Sequence, residues 1–287
     1  MIGVFDSGVG GLTILKSIHK KLPEYSTIYL GDNARAPYGD LSQEQITAYT
    51  WEGVRFLFES GCSLVVLACN TASAQALQTI QQEYLRPDSG KKVLGIIRPT
   101  VEAMSELGQE RGNLVTNEVT KLPQIKALGI FATQATVDSE IYLDEFKDQK
   151  SELEIYQQAC PGWVMMIENG EDKNKALEII KADIDKLFSQ NSTIDAVLLA
   201  CTHYPFFHDQ VVQSLPAGIK VFDQGDLVAD KLVDYIKRHT EINDQLDRTS
   251  KRQFFTTGKA EHVSKVAETI VGEKIDFEHI DLNAESR

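Results

Sequence analysis

The sequence predicts an α/β protein built on mostly parallel sheets, and three observations carry that expectation. Short apolar runs alternate with helix-length stretches nearly throughout the chain. The runs are continuous rather than alternating, as in Leu64-Val65-Val66-Leu67-Ala68 and Ala196-Val197-Leu198-Leu199-Ala200, which is the pattern of strands covered on both faces. Several runs end in small polar residues, at the strand ends where open α/β sheets bind ligands.

In chain order, Ile2–Phe5 reads as a first strand. It leads into the Gly-rich turn Asp6-Ser7-Gly8-Val9-Gly10-Gly11 and a helix from about Leu12. Thr27–Leu30 and Leu64–Ala68 read as buried strands, with a helix from Ser42 to Glu59 between them. Val93–Ile97, Ala127–Phe131, Leu153–Tyr156, Ala196–Ala200, Lys220–Phe222 and Gln253–Phe255 continue the series. The stretch from Gly108 to Leu122 is polar and lacks periodicity, so it reads as an excursion or mobile loop.

The 287 residues suffice for two domains, and a weak internal repeat divides them. Ile2–Phe5 runs into Asp6-Ser7, and a later apolar strand ends in Ala68-Cys69-Asn70-Thr71. Ala127–Phe131 runs into Ala132-Thr133, and a later strand ends in Ala200-Cys201-Thr202-His203. Two similar α/β halves can face one another with these strand ends at a common cleft.

Composition narrows the function. Twenty-nine basic against 42 acidic residues give a net charge of −13, which repels nucleic acid and anionic lipid in general. The apolar runs are far shorter than the roughly 20 residues of a membrane span. The N-terminus carries no basic-then-apolar secretion signal, so a cytoplasmic location is expected. The four cysteines, Cys62, Cys69, Cys160 and Cys201, form no C-x-x-C pair, and only His203 lies near one in sequence. Neither a disulfide framework nor a metal site is expected.

Cys69 and Cys201 carry the chemistry. Each sits at a strand end, immediately before residues that cap helices well: Asn70-Thr71 and Thr202. A helix N-terminus favours a nearby thiolate or bound carboxylate. A free thiol has a pKa of about 8.5 and needs local help to react near neutrality; Asp6 and His203 are candidate helpers, one for each thiol. The Gly-rich turn is not G-x-G-x-x-G, because Thr13 stands in the final position, nor is it a phosphate loop. In the loop Gly31–Gly39, Tyr38 is placed to bury a ligand or donate a hydrogen bond. Arg35 is either a carboxylate binder or the ion-pair partner of Asp32.

Four segments resemble, in the same order, the signatures of the glutamate racemases within the aspartate/glutamate racemase superfamily. They are Asp6–Gly11, Gly31–Gly39, Ala68–Ala74 and Ala200–Pro205. The resemblance extends from Ile2 to the Phe254–Gly258 segment. It implies two pseudo-symmetric three-layer α/β domains with the active site in the interdomain cleft. Residues 1–97 plus 208–287 would form the first, and residues 98–207 the second. It implies cofactor-independent racemisation of glutamate, supplying D-glutamate for peptidoglycan precursors, in a homodimer. By similarity, Cys69 takes the α-proton of D-glutamate and Cys201 that of L-glutamate, with Asp6 and His203 as their partners. Ser7, Asn70, Thr71 and Thr202 would hold the α-amino and α-carboxylate groups, and Pro37, Tyr38 and Gly39 would line the pocket. Thr133 and Thr136 match a T-x-x-T motif, and Glu168 falls where the family has an acidic residue near the amino group.

The chain departs from the family pattern at Arg98-Pro99-Thr100, where Glu-Pro-Gly is frequent, at Ala132, and at Trp163-Val164-Met165-Met166. Three other readings compete: another enzyme of the superfamily, namely an aspartate or hydantoin racemase or a decarboxylase using one cysteine; a binding protein with a vestigial site, for example for DNA gyrase; and a metal hydrolase using Cys201 and His203.

Overall fold

The computed structural model describes residues 1–86, 88–108, 125–169, 171 and 173–282. Among them the strands are β1 (Ile2–Asp6), β2 (Thr27–Gly31), β3 (Leu64–Leu67), β4 (Lys92–Gly95), β5 (Ala127–Ala132), β6 (Glu154–Ala159), β7 (Ala196–Leu199), β8 (Lys220–Asp223), β9 (Arg252–Thr256) and β10 (Glu278–His279). They assort into a six-stranded sheet, β10-β9-β2-β1-β3-β4, and a four-stranded sheet, β6-β5-β7-β8. Every pairing is parallel.

Parallel register brings strand ends level. Asp6 lies beside Gly31, and Phe5 beside Leu67, so the first sheet delivers Asp6-Ser7 and Ala68-Cys69 to one edge. Phe131 lies beside Leu199, so the second delivers Ala132-Thr133 and Ala200-Cys201 to its own edge.

Each sheet is the middle of three layers, because successive side chains point to opposite faces. Ile2, Val4 and Val66 pack with Leu15 and Ile18 of the helix Leu12–Lys21 and with Leu232 of Gln224–Arg238. Phe5, Val65 and Leu67 pack on the other face against Val54 and Leu57 of the helix Gln43–Glu59. That helix starts where the sequence expects, since Ser42 and Gln45 form a reciprocal capping box. In the second sheet Phe131, Val197 and Leu199 meet Ile184 and Leu187 of Lys173–Gln190. Leu128, Ile130 and Leu198 meet Val101 and Met104 of Ile97–Gly108. Trp163 is fully buried, with its ring centroid 4.8 Å from that of Tyr204 and 5.6 Å from that of Phe131, and its indole N–H donates to Asp183 at 2.9 Å. Burying an aromatic or Leu-sized side chain is worth about 1.5–3 kcal/mol, so this cluster anchors the second sheet below Cys201.

The boundary expected after residue 207 is corrected by β8. Lys220–Asp223 pairs with β7, so the chain stays in the second sheet beyond His208. The physical reason is a further crossover, in which the helix His208–Ser214 carries the chain back to a parallel partner strand. The chain returns to the first sheet at Gln224, whose helix buries Val228, Leu232 and Ile236 in the first core. Of the expected Gly108–Leu122 excursion, residues 109–122 lie outside the described residues.

Candidate active site

The Gly-rich turn after β1 packs directly on the Cys201 segment. A Cβ on Gly10 would stand 2.5 Å from both His203 Nδ1 and Thr202 Oγ1, and one on Gly8 would collide with the Glu168 carboxylate. Glycine is therefore required at these positions by the close approach of the second sheet's side chains.

Asp6 is fully buried at the end of β1. Gly8 N–H donates to its Oδ1 at 2.8 Å, and the Thr202 hydroxyl donates to its Oδ2 at 3.0 Å. Burial raises the Asp6 pKa above the usual carboxylate value, outweighing the charge of His203 and the hydrogen bonds of Gly8 and Thr202.

Cys69 caps the helix Asn70–Gln75: its Sγ accepts the Ala72 N–H at 3.4 Å. Ser7 Oγ lies 3.4 Å from the same sulfur. Burial pushes the Cys69 thiol up to about 12 and the Asp6 charge adds to the effect, while Ser7 and Ala72 oppose it. These surroundings favour the thiol form of Cys69 at neutral pH.

Cys201 follows β7 and Ala200. Its Sγ lies 3.9 Å from His203 Nδ1, and His203 Nε2 lies 2.7 Å from Glu168 Oε1. Glu168 ends the helix Trp163–Glu168 and also accepts the Val9 N–H at 3.3 Å. Burial disfavours the imidazolium, but the hydrogen bonds to Cys201 and Glu168 outweigh it and hold His203 well above the usual histidine value. Burial likewise opposes the Glu168 carboxylate, yet the bond to His203 and its charge keep the group below its usual value.

A chain of hydroxyls links the sheets beside Cys69. Thr71 Oγ1 lies 3.0 Å from Thr133 Oγ1, which lies 3.0 Å from Thr136 Oγ1. Gly39 abuts this chain, since a Cβ there would stand 3.3 Å from Thr133 Cβ. Tyr38 is buried and donates its hydroxyl proton to Asp32 Oδ2. Arg35 Nε donates to that oxygen at 2.7 Å, so of the two readings of Arg35 the ion pair is the one found. Pro37 lines a cavity of about 560 Å³ with Met165, Glu168, Lys259 and His262. The two sulfurs lie outside the lining of this cavity, which shares Glu168 with their site.

The structure thus brings Asp6, Ser7, Cys69, Cys201, Thr202 and His203 into one connected buried cluster, with half-buried Glu168 at its edge. Thr71, Thr133, Thr136 and Gly39 adjoin it, Tyr38 is buried in the same core cluster as Cys69, and Pro37 lines the neighbouring cavity. Asp6 makes no hydrogen bond to Cys69 in the described network; Ser7 holds the sulfur, and Asp6 acts on it through charge. Cys62 and Cys160 are free and buried elsewhere: Cys62 beneath β1 near Gly3, and Cys160 with its thiol directed at the Gln158 carbonyl, 3.6 Å away. Among the described residues, no three His, Cys, Asp or Glu side chains gather as a metal-ion cluster.

Three residues were not assigned to the site by the sequence, although Thr100 stood out there as a departure from the family pattern. Gln224, Tyr142 and Thr100 are buried around Asn70 and hydrogen-bonded with it in one network. The position of Gln224 immediately after β8 is the same strand-end signal that exposed the cysteines; Tyr142, within a helix, carried none.

The family model described as Asp/Glu/Hydantoin racemase matches residues 2–232. A glutamate racemase of Roseobacter denitrificans is 39% identical over 276 residues, covering 96% of this chain and 98% of that protein. One of Phenylobacterium zucineum is 37% identical over 283 residues, covering 96% of this chain and 99% of that protein. Among solved structures, glutamate racemase isoform RacE1 from Bacillus anthracis superimposes with a TM-score of 0.83 at 29% identity, covering 98% of this chain and 97% of that one. Glutamate racemase from Francisella tularensis, in complex with D-glutamate, superimposes with a TM-score of 0.81 at 27% identity, covering 99% and 98%.

Proposed function

This chain belongs to the Asp/Glu/Hydantoin racemase family, and from that premise we propose that it interconverts L- and D-glutamate by proton transfer between two cysteines. The observation that carries the proposal is the pair of buried free thiols, one contributed by the end of each sheet, each with its own hydrogen-bonding partner. Inverting a tetrahedral centre through a flat carbanion needs a base on one face and an acid on the other. Two fixed thiols meet that need with no large movement of either.

In the D-to-L direction the Cys69 thiolate removes the α-proton and the Cys201 thiol protonates the opposite face. The reverse direction exchanges the roles. Burial and the Asp6 charge hold the Cys69 thiol up, and the α-ammonium group of the substrate opposes them by favouring the thiolate. On the other side His203, held protonated by Glu168, faces the Cys201 sulfur and stabilises negative charge there. Ser7, Asn70, Thr71 and Thr202 hold the α-amino and α-carboxylate groups, and backbone donors stabilise the charge that develops on the carboxylate. Thr133 and Thr136 adjoin these side chains, and Pro37, Tyr38 and Gly39 bound the pocket on the side of the first sheet.

The reaction supplies D-glutamate for peptidoglycan precursors. The support is that the relatives spanning nearly the whole chain are glutamate racemases and that the Francisella neighbour holds D-glutamate. A cytoplasmic homodimer completes the proposal: among the described residues no helix is long and apolar enough to cross a membrane, and closed symmetric pairs are the commonest soluble oligomers.

The test is chiral chromatography of L-glutamate, and separately L-aspartate, incubated with the purified protein in heavy water. Glutamate approaching a 1:1 mixture with deuterium at Cα supports the proposal. Turnover of aspartate alone, or loss of activity on chelation with recovery on adding a metal, overturns it.

A further inference from the structure

Two connections join the sheets, and a polar residue from each meets Asn70, the neighbour of Cys69. Thr100 is fully buried in the outgoing helix Ile97–Gly108, and Gln224 opens the returning helix Gln224–Arg238 at 2% exposure. Asn70 Nδ2 donates to Gln224 Oε1 at 2.6 Å, and Gln224 Nε2 donates to Asn70 Oδ1 at 3.2 Å. Tyr142, from the second sheet's helical layer, donates its hydroxyl to Asn70 Oδ1 at 2.7 Å. Gln224 Nε2 also faces the Tyr142 hydroxyl and Thr100 Oγ1, each at 3.0 Å.

An amide pair of this kind has two polarities, since each carboxamide can turn over and exchange donor for acceptor. Thr100 decides between them. Its hydroxyl owns one proton, which is donated to the Ile96 carbonyl at 2.7 Å. Toward Gln224 it can therefore only accept, so the Gln224 atom facing it is the NH2. That sets Gln224 Oε1 toward Asn70 and makes the Asn70 atom opposite it Nδ2. Asn70 Oδ1 then takes two donors and is saturated, while one Nδ2 proton has no partner in the network.

We propose that Thr100 and Gln224 are positioning residues that fix the Asn70 amide as a one-proton donor beside Cys69. An amide so fixed serves an anionic oxygen, the substrate carboxylate, and has no acceptor left for the α-ammonium group. Resting on the racemase reading, this assigns Asn70 to one end of the substrate and ties its polarity to both connections between the sheets. Valine or glycine at position 100 would remove the acceptor that fixes this polarity and allow Oδ1 to be presented to a carboxylate.

The experiment compares Thr100→Val, Thr100→Ser and Gln224→Leu, alone and combined with Asn70→Ala, in glutamate racemisation in both directions. Loss of a hydrogen bond to a charged group corresponds to about a tenfold effect or more. Thr100→Val and Gln224→Leu are expected to raise KM about tenfold, with kcat changed much less. Thr100→Ser, which keeps the hydroxyl, should restore the wild-type KM. In the Asn70→Ala background neither Thr100→Val nor Gln224→Leu should cost anything further. Should the losses multiply in that background, or Thr100→Val keep a wild-type KM, the positioning role is overturned while the racemase reading stands. A wild-type protein that leaves glutamate chirally unchanged overturns both. Melting temperatures measured on the same samples separate unfolding from mispositioning.

Discussion

The Thr202 hydroxyl donates to Asp6 Oδ2 at 3.0 Å, joining the end of β1 in the first sheet to the residue after Cys201 in the second. A second crossing runs the other way, from Val9 N–H in the first sheet's turn to Glu168 in the second sheet's helix. The carboxylate of each half is therefore held in part by the other half, while Asp6 keeps Gly8 and Glu168 keeps His203 as a partner within its own.

Cys69→Ser and Cys201→Ser are each expected to lower racemisation on the order of a thousandfold or more, because a hydroxyl is a far poorer base than a thiolate. Cys62→Ser should retain most activity, since that thiol lies beside Gly3 beneath β1, away from the cluster. Steady-state rates from both enantiomers decide. A folded but inactive Cys62→Ser protein would remove the pair assignment.

Glu168→Gln should move the alkaline limb of kcat/KM for L-glutamate to lower pH. Glu168 is one of the groups that raise the His203 pKa, so without its charge the imidazolium is lost earlier as pH rises. The same pair contributes to stability with a definite sign. A raised histidine stabilises fully below its unfolded value near 6.5, and that stability disappears as pH rises through its folded value. A depressed carboxylate stabilises above its unfolded value, and that part disappears as pH falls through the folded one. Wild-type melting temperature should therefore decline through the alkaline range more steeply than that of Glu168→Gln, which calorimetry against pH will show.

His203→Asn and Asp6→Asn should fail asymmetrically. Each leaves both thiols present and disturbs the charge beside one of them. Primary isotope effects from α-deuterated L- and D-glutamate are expected to shift in opposite senses in the two variants, because a different proton transfer becomes rate-limiting in each. Identical effects from both enantiomers in both variants would break the assignment of one helper to one face.

Gly10→Ala should cost at least about a hundredfold in activity and about 1–3 kcal/mol of stability, the usual cost of overpacking. The added Cβ would meet His203 Nδ1 and Thr202 Oγ1 at 2.5 Å, so the turn and the Cys201 segment must separate. Thermal melts and rates measured together will show whether both fall. An active variant of wild-type stability would mean that the sheets close differently around substrate.

The sequence by itself determined the elements and the chemistry. Continuous runs such as Leu64–Leu67 and Ala196–Leu199 match strands buried on both faces, and the sheets they form are wholly parallel. The two cysteines announced themselves because each stands at such a strand's end before helix-capping residues. What the tertiary structure decided is which neighbours those residues acquire. Lys220–Asp223 joins the second sheet, although nothing local in its four residues distinguishes one sheet's edge from the other's. Asp6 is held by Thr202, while Ser7 takes the Cys69 sulfur. Arg35 is committed to Asp32 and Glu52. Asn70 is oriented by Gln224, Tyr142 and Thr100, residues far from it in the chain. Strand and cap signals depend on residues adjacent in sequence, where periodicity and propensity act; hydrogen-bond partnerships across a cleft depend on register and crossover, which exist only once both sheets have formed.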